Sequence, residues 1–155
     1  PEEQLQQDLN RYKQHSIELG ATDAKIITAD EVVIDERVLA KCTYPKCPGY
    51  GTNANCPPHA MSLDQLRRVL NRFQYGIFIK LEVPAVDVAG VEARDKRLAI
   101  RYQRKLAEIT AKIEAEAFYE GYTWPLHSAV APANGFSVLM SSAVLWSRGR
   151  HAHIA

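Results

Sequence analysis

The chain has 155 residues, of which 46% are apolar and 24% charged, and its formal net charge is +1. This length suits one domain with a buried core of its own, and this composition excludes an intrinsically disordered chain. The near-neutral charge argues against nucleic acid and anionic membrane as partners, because clustered Lys and Arg supply much of the affinity for both. No apolar run reaches the roughly 20 residues of a transmembrane helix, so we expect a cytoplasmic protein.

The N-terminal segment is predicted to contain one helix followed by short strands. Apolar residues at helical spacing predict a helix over residues 2–19, and Gly20 suits its C-terminal stop. β-Branched runs within residues 24–35 then predict two short strands or one bent strand. The apolar face of the helix consists of Leu5, Leu9, Tyr12 and Ile17.

Three further elements are predicted later in the chain. Ser62 and Gln65 match a capping box, which indicates the start of a helix. Apolar residues at alternate positions predict a strand over residues 75–83, ended by Pro84. Residues 91–120 are predicted to form a long amphipathic helix whose opposite face is charged and solvated. The buried stripe of this helix comprises Leu98, Tyr102, Leu106, Ile109, Ile113 and Ala117.

The alternation of helices and strands predicts the fold class. We expect an α/β (α+β) fold, in which two or three helices cover a small sheet. The whole chain, residues 1–155, is expected to form one domain, with a cysteine-rich loop at the strand ends. The order of the strands does not follow from the pattern.

The cysteines of this chain are concentrated in one loop. Cys42, Cys47 and Cys56 are the 3 cysteines of the sequence, and they fall within fifteen residues with the spacing C-x4-C-x8-C. We refer to residues 42–59, which are rich in Pro and Gly, as the cysteine loop. Thiolates gathered this closely are ligands for a soft metal ion or an iron–sulfur cluster. The prolines directly after Cys47 and Cys56 fix the backbone φ beside both sulfurs.

Two other interpretations of the cysteines are weaker. Free Cys is often a small buried hydrophobe, but three in one turn-rich loop favour ligation over packing. An odd cysteine count without a signal peptide does not indicate an oxidising compartment, so a disulfide is disfavoured. The spacing differs from the C-x2-C pair of zinc ribbons and from the C-x2-C-x2-C run of bacterial ferredoxins, so it does not identify the metal.

The cysteine loop also resembles a known family. It is similar to the signature of an uncharacterised prokaryotic family of predicted metal-binding proteins, and a looser resemblance extends from the N-terminal helix to about Tyr122. The resemblance implies metal binding through cysteines and names no reaction. The residues that carry it are Cys42, Pro45, Cys47-Pro48, Tyr50-Gly51, Asn55 and Cys56-Pro57-Pro58.

The three cysteines leave one ligand to be found, because zinc and most cubane clusters take four protein ligands. His59, three residues after Cys56, is the nearest candidate. His15 is predicted to lie on a helix surface, and His151 and His153 in the tail form only a weak match. The alternative is a three-cysteine cluster with one open iron site, which points to substrate binding.

The sequence loses its periodicity after Tyr122, where the resemblance ends. The family would continue with Gly-Pro-Cys and further cysteines. When the third base of each codon is read together with the first two bases of the next codon, the shifted frame permits such a string, with Gly-Gly-Pro over residues 129–132. We therefore expect a shifted reading frame from about Thr123, so that residues 123–155 form a frameshifted or disordered tail. The alternative is a genuine terminus, in which residues 136–145 form an apolar strand or helix. The boundaries that permit Cys are Pro132/Ala133, Ser137/Val138 and Ser142/Ala143.

Three classes of function fit these residues. The first is a metal- or cluster-binding protein, with iron–sulfur preferred to zinc, which transfers electrons, handles metal or supports a partner enzyme. The second is an enzyme with a reactive thiol or a structural zinc site, since Lys41 and Lys46 precede cysteines and a nearby cation activates a thiol. The third is a zinc-knuckle module in which Tyr44 and Tyr50 stack bases; the charge disfavours it, and we expect both rings to pack the loop instead.

Overall fold

The computed structural model contains a four-stranded antiparallel sheet with two helices packed together on one face. It describes residues 2–47, 49–52, 54, 56–88, 98–122, 126–133 and 137–146. The mixed α+β class predicted from the sequence is confirmed. In chain order the described elements are α1 (Glu2–Glu18), β1 (Asp23–Thr28), α2 (Glu36–Thr43), α3 (Leu63–Leu70), β2 (Tyr75–Pro84), α4 (Ala85–Val88), α5 (Leu98–Tyr119), β3 (Leu126–Ala133) and β4 (Ser137–Trp146).

The strand order of the sheet is β1-β2-β4-β3, and each neighbouring pair is antiparallel. β2 is central, because Ile77 pairs with Ile26 of β1 on one side and with Val144 of β4 on the other. β3 joins the far side of β4, with an irregularity in register between Val130 and Ala133. β1 and β3 are therefore the edge strands.

β2 confirms the strand predicted over residues 75–83 and extends it by one residue, to Pro84. Alternate residues are buried because they face the helices, whereas Glu82 on the opposite face is exposed. One buried face and one partly solvated face are typical of an antiparallel sheet in a two-layer fold. The buried face of β2 contains Ile77, Ile79, Leu81 and Val83.

α1 confirms the predicted N-terminal helix. It ends at Glu18, and Gly20 follows in the left-handed region with a φ of 104°. The N–H of Gly20 donates to Ile17 O at 2.9 Å and closes the final turn. Leu9 and Tyr12 are fully buried in the core that α1 shares with the sheet and α5.

α5 confirms the predicted long helix from Leu98 onward, while residues 91–97 of that prediction lie outside the described residues. Leu98 and Tyr102 are half-buried near its start, and Arg101 and Lys112 are exposed on its charged face, as an amphipathic helix requires. The buried stripe consists of Leu106, Ile109, Thr110, Ile113 and Ala117. No helix in the described ranges, α5 included, is long and apolar enough to cross a membrane.

Polar contacts join α1 to the C-terminal end of α5, and the two helices run antiparallel. Tyr12 Oη donates to Glu120 Oε2 at 2.5 Å, and Arg11 Nη1 donates to Glu120 Oε1 at 2.9 Å. One helical turn away, His15 Nδ1 lies 2.8 Å from Glu116 Oε2. We refer to these five side chains as the α1–α5 contact.

The structure corrects the prediction for residues 24–35. One strand, β1, forms there; a 3-10 turn (Ala29–Glu31) follows it, and no strand is assigned to Val33 or its described neighbours. The reason is that β2 begins at Tyr75, opposite Thr28, so no described strand lies beside the residues that follow. Val33 is accordingly 83% exposed. α2, which the pattern did not predict, begins shortly afterwards.

α3 begins with the capping box predicted from the sequence. Ser62 Oγ accepts a hydrogen bond from Gln65 N at 3.3 Å, and Gln65 Oε1 accepts one from Ser62 N at 3.0 Å. The two residues thereby satisfy each other's backbone donors at the start of the helix. Leu70 at the other end of α3 is buried, so the end of the helix is anchored where the chain enters β2.

The segment after Tyr122 contains two strands of the sheet. β3 and β4 lie where the sequence analysis expects a shifted reading frame, and β4 pairs with β2 over all ten of its residues. This arrangement agrees with the alternative interpretation of a strand over residues 136–145, while the reading frame itself stays a prediction. Residues 147–155, with His151 and His153, lie outside the described part of the chain.

Candidate metal centre

Cys42 lies in the last turn of α2, and hydrogen bonds cap both ends of this helix. Asp35 is the N-cap: its Oδ1 accepts from Arg37 N at 2.8 Å, and its Oδ2 accepts from Arg37 Nε at 2.8 Å. The Arg37 side chain, followed by its backbone N–H, lowers the pKa of Asp35 to about 2, so the cap is charged at neutral pH. At the other end, Tyr44 N donates to Ala40 O at 2.9 Å. The capped helix holds Cys42 at the start of the cysteine loop.

Backbone hydrogen bonds fold the first half of the cysteine loop into tight turns. Cys47 N donates to Cys42 O at 3.0 Å, which ties the first two cysteines together through the main chain. Tyr50 N donates to Cys47 O at 2.9 Å and closes the turn that contains Gly49. Lys46 Nζ lies 4.7 Å from the centre of the Tyr50 ring, a cation–π contact that stabilises the same turn.

The second half of the loop returns toward the first. Gly51 N donates to Pro57 O at 2.7 Å, and Gly51 has a φ of 75°, a left-handed conformation that favours glycine. Thr52 reinforces the turn, because its Oγ1 donates to Gly49 O at 2.8 Å. These contacts bring Cys56, the residue before Pro57, back to Gly49.

The sulfurs of Cys47 and Cys56 converge beside Gly49. A Cβ placed on Gly49 would lie 3.5 Å from Cys56 Sγ and 3.8 Å from Cys47 Sγ, so both sulfurs border one small space. The three cysteines are free thiols; Cys47 is exposed, and Cys42 and Cys56 are half-buried. Because thiolate sulfur is a soft donor, two free thiols that border the same space suit a soft metal ion such as zinc or iron.

The other two predicted ligands are less closely placed. Among the described residues, no three His, Cys, Asp or Glu side chains come together in an arrangement that could hold a metal ion. Cys42 is tied to Cys47 through the backbone, and His59 is an exposed residue whose N–H donates to Cys56 O at 3.0 Å. The assignment of Cys42, Cys47, Cys56 and His59 as metal ligands therefore stays a prediction, and the geometry supports the Cys47–Cys56 pair.

Three other residues of the loop differ from the sequence-based view. Tyr44 does not pack the loop, since it is 86% exposed, whereas Tyr50 is half-buried and faces Lys46. Sequence reasoning missed Gly49 and Thr52 as parts of the site. The spacing of the cysteines could not identify them, because neither is a ligand and their contacts form only in the folded loop.

A comparison with protein families matches most of the chain. The family model described as "Predicted metal-binding protein (DUF2284)" matches residues 25–132. The match includes the whole cysteine loop and continues ten residues beyond Tyr122. The search of curated proteins and the search of solved structures found no match. The family description specifies metal binding and names neither the metal nor a reaction.

Proposed function

Because the chain belongs to this family of predicted metal-binding proteins, we propose that it binds its metal in the cysteine loop, through the thiolates of Cys42, Cys47 and Cys56. His59 is the candidate for a fourth ligand. The observation that supports this proposal most is the convergence of the Cys47 and Cys56 sulfurs beside Gly49. The backbone hydrogen bond from Cys47 to Cys42 supports the third ligand, because it keeps Cys42 next to the pair along the main chain.

An iron–sulfur cluster is the first choice of metal group. Cluster ligands are thiolates, and the Cys-Pro steps at Cys47 and Cys56 resemble those of cluster-binding loops. When bound, such a cluster supplies one-electron transfer at a potential that solvent exposure and hydrogen bonds to the sulfurs adjust. The exposure of Cys47 supports approach of a redox partner to this edge of the loop. The proposed role is electron transfer, or support of a partner enzyme, in the cytoplasm.

A structural zinc site, in a small-molecule or thiol enzyme, is the second candidate. The observation that favours it is that all eight residues of α2 are described and none of them is buried. A short helix without a buried face gains little stability from packing. A structural zinc ion contributes folding free energy directly, and it would stabilise the loop that α2 leads into.

Anaerobic purification followed by metal and acid-labile sulfide analysis distinguishes the two candidates. An iron–sulfur protein is brown, absorbs broadly in the visible range and releases sulfide with its iron. A zinc protein is colourless and releases none. A purified chain that contains neither metal, and takes up neither after anaerobic reconstitution, would contradict the metal-binding function.

Single substitutions of the cysteines test the ligand set. Cys47→Ser should lose most of the bound metal and become more sensitive to protease, because the free energy of metal binding is also folding free energy of the loop. Lys41→Gln is the matched control, since it alters an exposed residue next to Cys42 without removing a sulfur and should keep the metal. Unchanged metal content in all three Cys→Ser variants would rule out Cys42, Cys47 and Cys56 as ligands.

A further inference from the structure

Two glycines of the cysteine loop differ in backbone conformation and in surroundings. Gly51 has a φ of 75°, and no described atom lies within 4 Å of the position that its Cβ would take. Its backbone conformation therefore favours glycine. The φ of Gly49 lies outside the left-handed region, so its backbone does not itself require glycine. What distinguishes Gly49 is its surroundings, because its Cβ position faces the sulfurs of Cys47 and Cys56.

We propose that Gly49 keeps the Cys47–Cys56 sulfur pair open to a metal ion and to the remaining ligands of that ion. The proposal rests on the proposed function and adds a residue that sets access to the site without being a ligand. A methyl group at position 49 would lie 3.5 Å and 3.8 Å from the two sulfurs, which is ordinary van der Waals contact. The metal-free chain can therefore accept Ala at this position without a clash.

The same methyl group opposes metal binding. It would lie within 4 Å of both sulfurs and cover the side of each that faces position 49, so an approaching ion would meet the methyl group there. It also occupies part of the space that an ion and its other ligands need. A larger side chain, such as Val, should oppose binding more strongly, since it covers more of the sulfurs.

The loop backbone prevents a side chain at position 49 from turning away. Thr52 donates to Gly49 O twice, from its N at 3.2 Å and from its Oγ1 at 2.8 Å. Tyr50 N, in the same peptide unit, donates to Cys47 O at 2.9 Å. Because these hydrogen bonds hold the peptide unit between Gly49 and Tyr50, a Cβ at position 49 stays directed at the sulfurs.

The test compares Gly49→Ala and Gly49→Val with Gly51→Ala in the reduced full-length chain under anaerobic conditions. Zn²⁺ alone is titrated in competition with a chelator, and Co²⁺ alone is followed through its thiolate absorption. Gly49→Ala should bind both ions about 10- to 100-fold more weakly than the wild type, the usual effect of changes next to metal ligands, and Gly49→Val more weakly still. The metal-free Gly49→Ala chain should unfold at the same temperature as the wild type or higher.

Gly51→Ala should show the opposite pattern. Its Cβ meets no described atom within 4 Å, but its backbone is strained, so the metal-free chain should lose stability. Its metal affinity should fall less than that of Gly49→Ala. A Gly51→Ala variant that loses as much affinity as Gly49→Ala would contradict a specific role for Gly49.

Thiol alkylation of the metal-free chains gives a readout that does not depend on metal. Gly49→Ala should slow alkylation of Cys47 and Cys56 and leave Cys42 unchanged, since the methyl group contacts only the first two sulfurs. Equal metal affinities and equal alkylation rates in Gly49→Ala and wild type would overturn the role of Gly49 alone, and so would a Gly49→Ala chain that does not fold. A wild-type chain that binds neither ion would overturn the proposed function as well.

Discussion

The carboxylate of Glu120 connects the end of α5 to α1. The pKa of Glu120 is below its ordinary value, chiefly because Arg11 donates a hydrogen bond to the carboxylate. Burial raises this pKa, and the hydrogen bond from Tyr12 lowers it further. The pKa of Tyr12 is raised chiefly by burial of its hydroxyl, and the hydrogen bond that Tyr12 donates to Glu120 raises it further. At neutral pH, Tyr12 is therefore a donor and Glu120 a charged acceptor.

We expect the stability contributed by Glu120 to be lost in acid. Because its folded-state pKa is lowered, this contribution is present above the pKa of the unfolded chain and is lost as the pH falls through the folded-state value. Glu120→Gln should therefore have a lower Tm than the wild type at neutral pH. The difference should shrink as the pH falls from about 5 to about 3, the range in which carboxylates are protonated.

Glu108→Gln is the control for this measurement, since Glu108 is an exposed residue on the charged face of α5. It should change the Tm little at either pH. Thermal unfolding followed by circular dichroism at several pH values measures all three chains. A Tm difference between Glu120→Gln and wild type that is the same at every pH would contradict the role of the Glu120 charge.

Packing of one face contributes more to the stability of helix α5 than the charges on its solvated face do. Ile109 is 3% exposed within the core, whereas Lys112, less than one turn away, lies on the solvated face. Truncation of a buried Ile to Ala costs about 2–5 kcal/mol, because it removes apolar burial and leaves a cavity. Ile109→Ala should thus lower the free energy of unfolding by that amount and Lys112→Ala by much less. Denaturant titration measures both, and equal losses would mean that the buried face is assigned incorrectly.

Helix α2 differs from α5, because hydrogen bonds cap both of its ends but no face of it is buried. None of its eight residues, all of them described, is buried. We expect removal of the metal by a chelator to increase tryptic cleavage at Lys41 and Lys46, since the cysteine loop loses folding free energy with the metal. Cleavage at Lys105 and Lys112 in α5 should not change. Limited proteolysis with mass spectrometry measures this, and equal sensitivity of both regions to the chelator would contradict it.

At the scale of the whole molecule, the segment after Tyr122 decides how the sheet is completed. β4 lies between β2 and β3, so β2 would become an edge strand without it. The family match reaches residue 132 and therefore includes most of β3 but not β4. The same segment is where the shifted frame permits Gly-Gly-Pro and three further cysteines.

We predict that restoring the frame from about Thr123 raises the metal bound per chain, because added thiolates complete the coordination begun in the cysteine loop. Resequencing the gene around the codons of Tyr122 and Thr123 tests the cause directly. Metal analysis of the restored and present chains, purified side by side, tests the consequence. A shifted frame that meets an early stop codon, or a restored chain with no added metal, would establish the present tail as genuine.

Local patterns in the sequence were sufficient to predict α1, α5 from Leu98 onward, β2 and the capping box at Ser62. Each depends on residues a few positions apart, such as the alternation along β2 or the Ser62–Gln65 exchange, so the signal is complete within the segment. The clustering of the cysteines likewise lies within one short stretch. These features could be predicted because the residues that produce them are neighbours in the sequence.

The tertiary structure decided what depends on distant partners. The order β1-β2-β4-β3 brings β2 beside β4, and the start of β2 opposite Thr28 leaves the apolar run at Val33 without a neighbouring strand. The same holds for the candidate metal centre: the sequence predicts thiolate ligands, but only the folded loop brings the Cys47 and Cys56 sulfurs to Gly49. Strand pairing and loop closure depend on which segments meet in space, and that information is not contained in any single segment's periodicity.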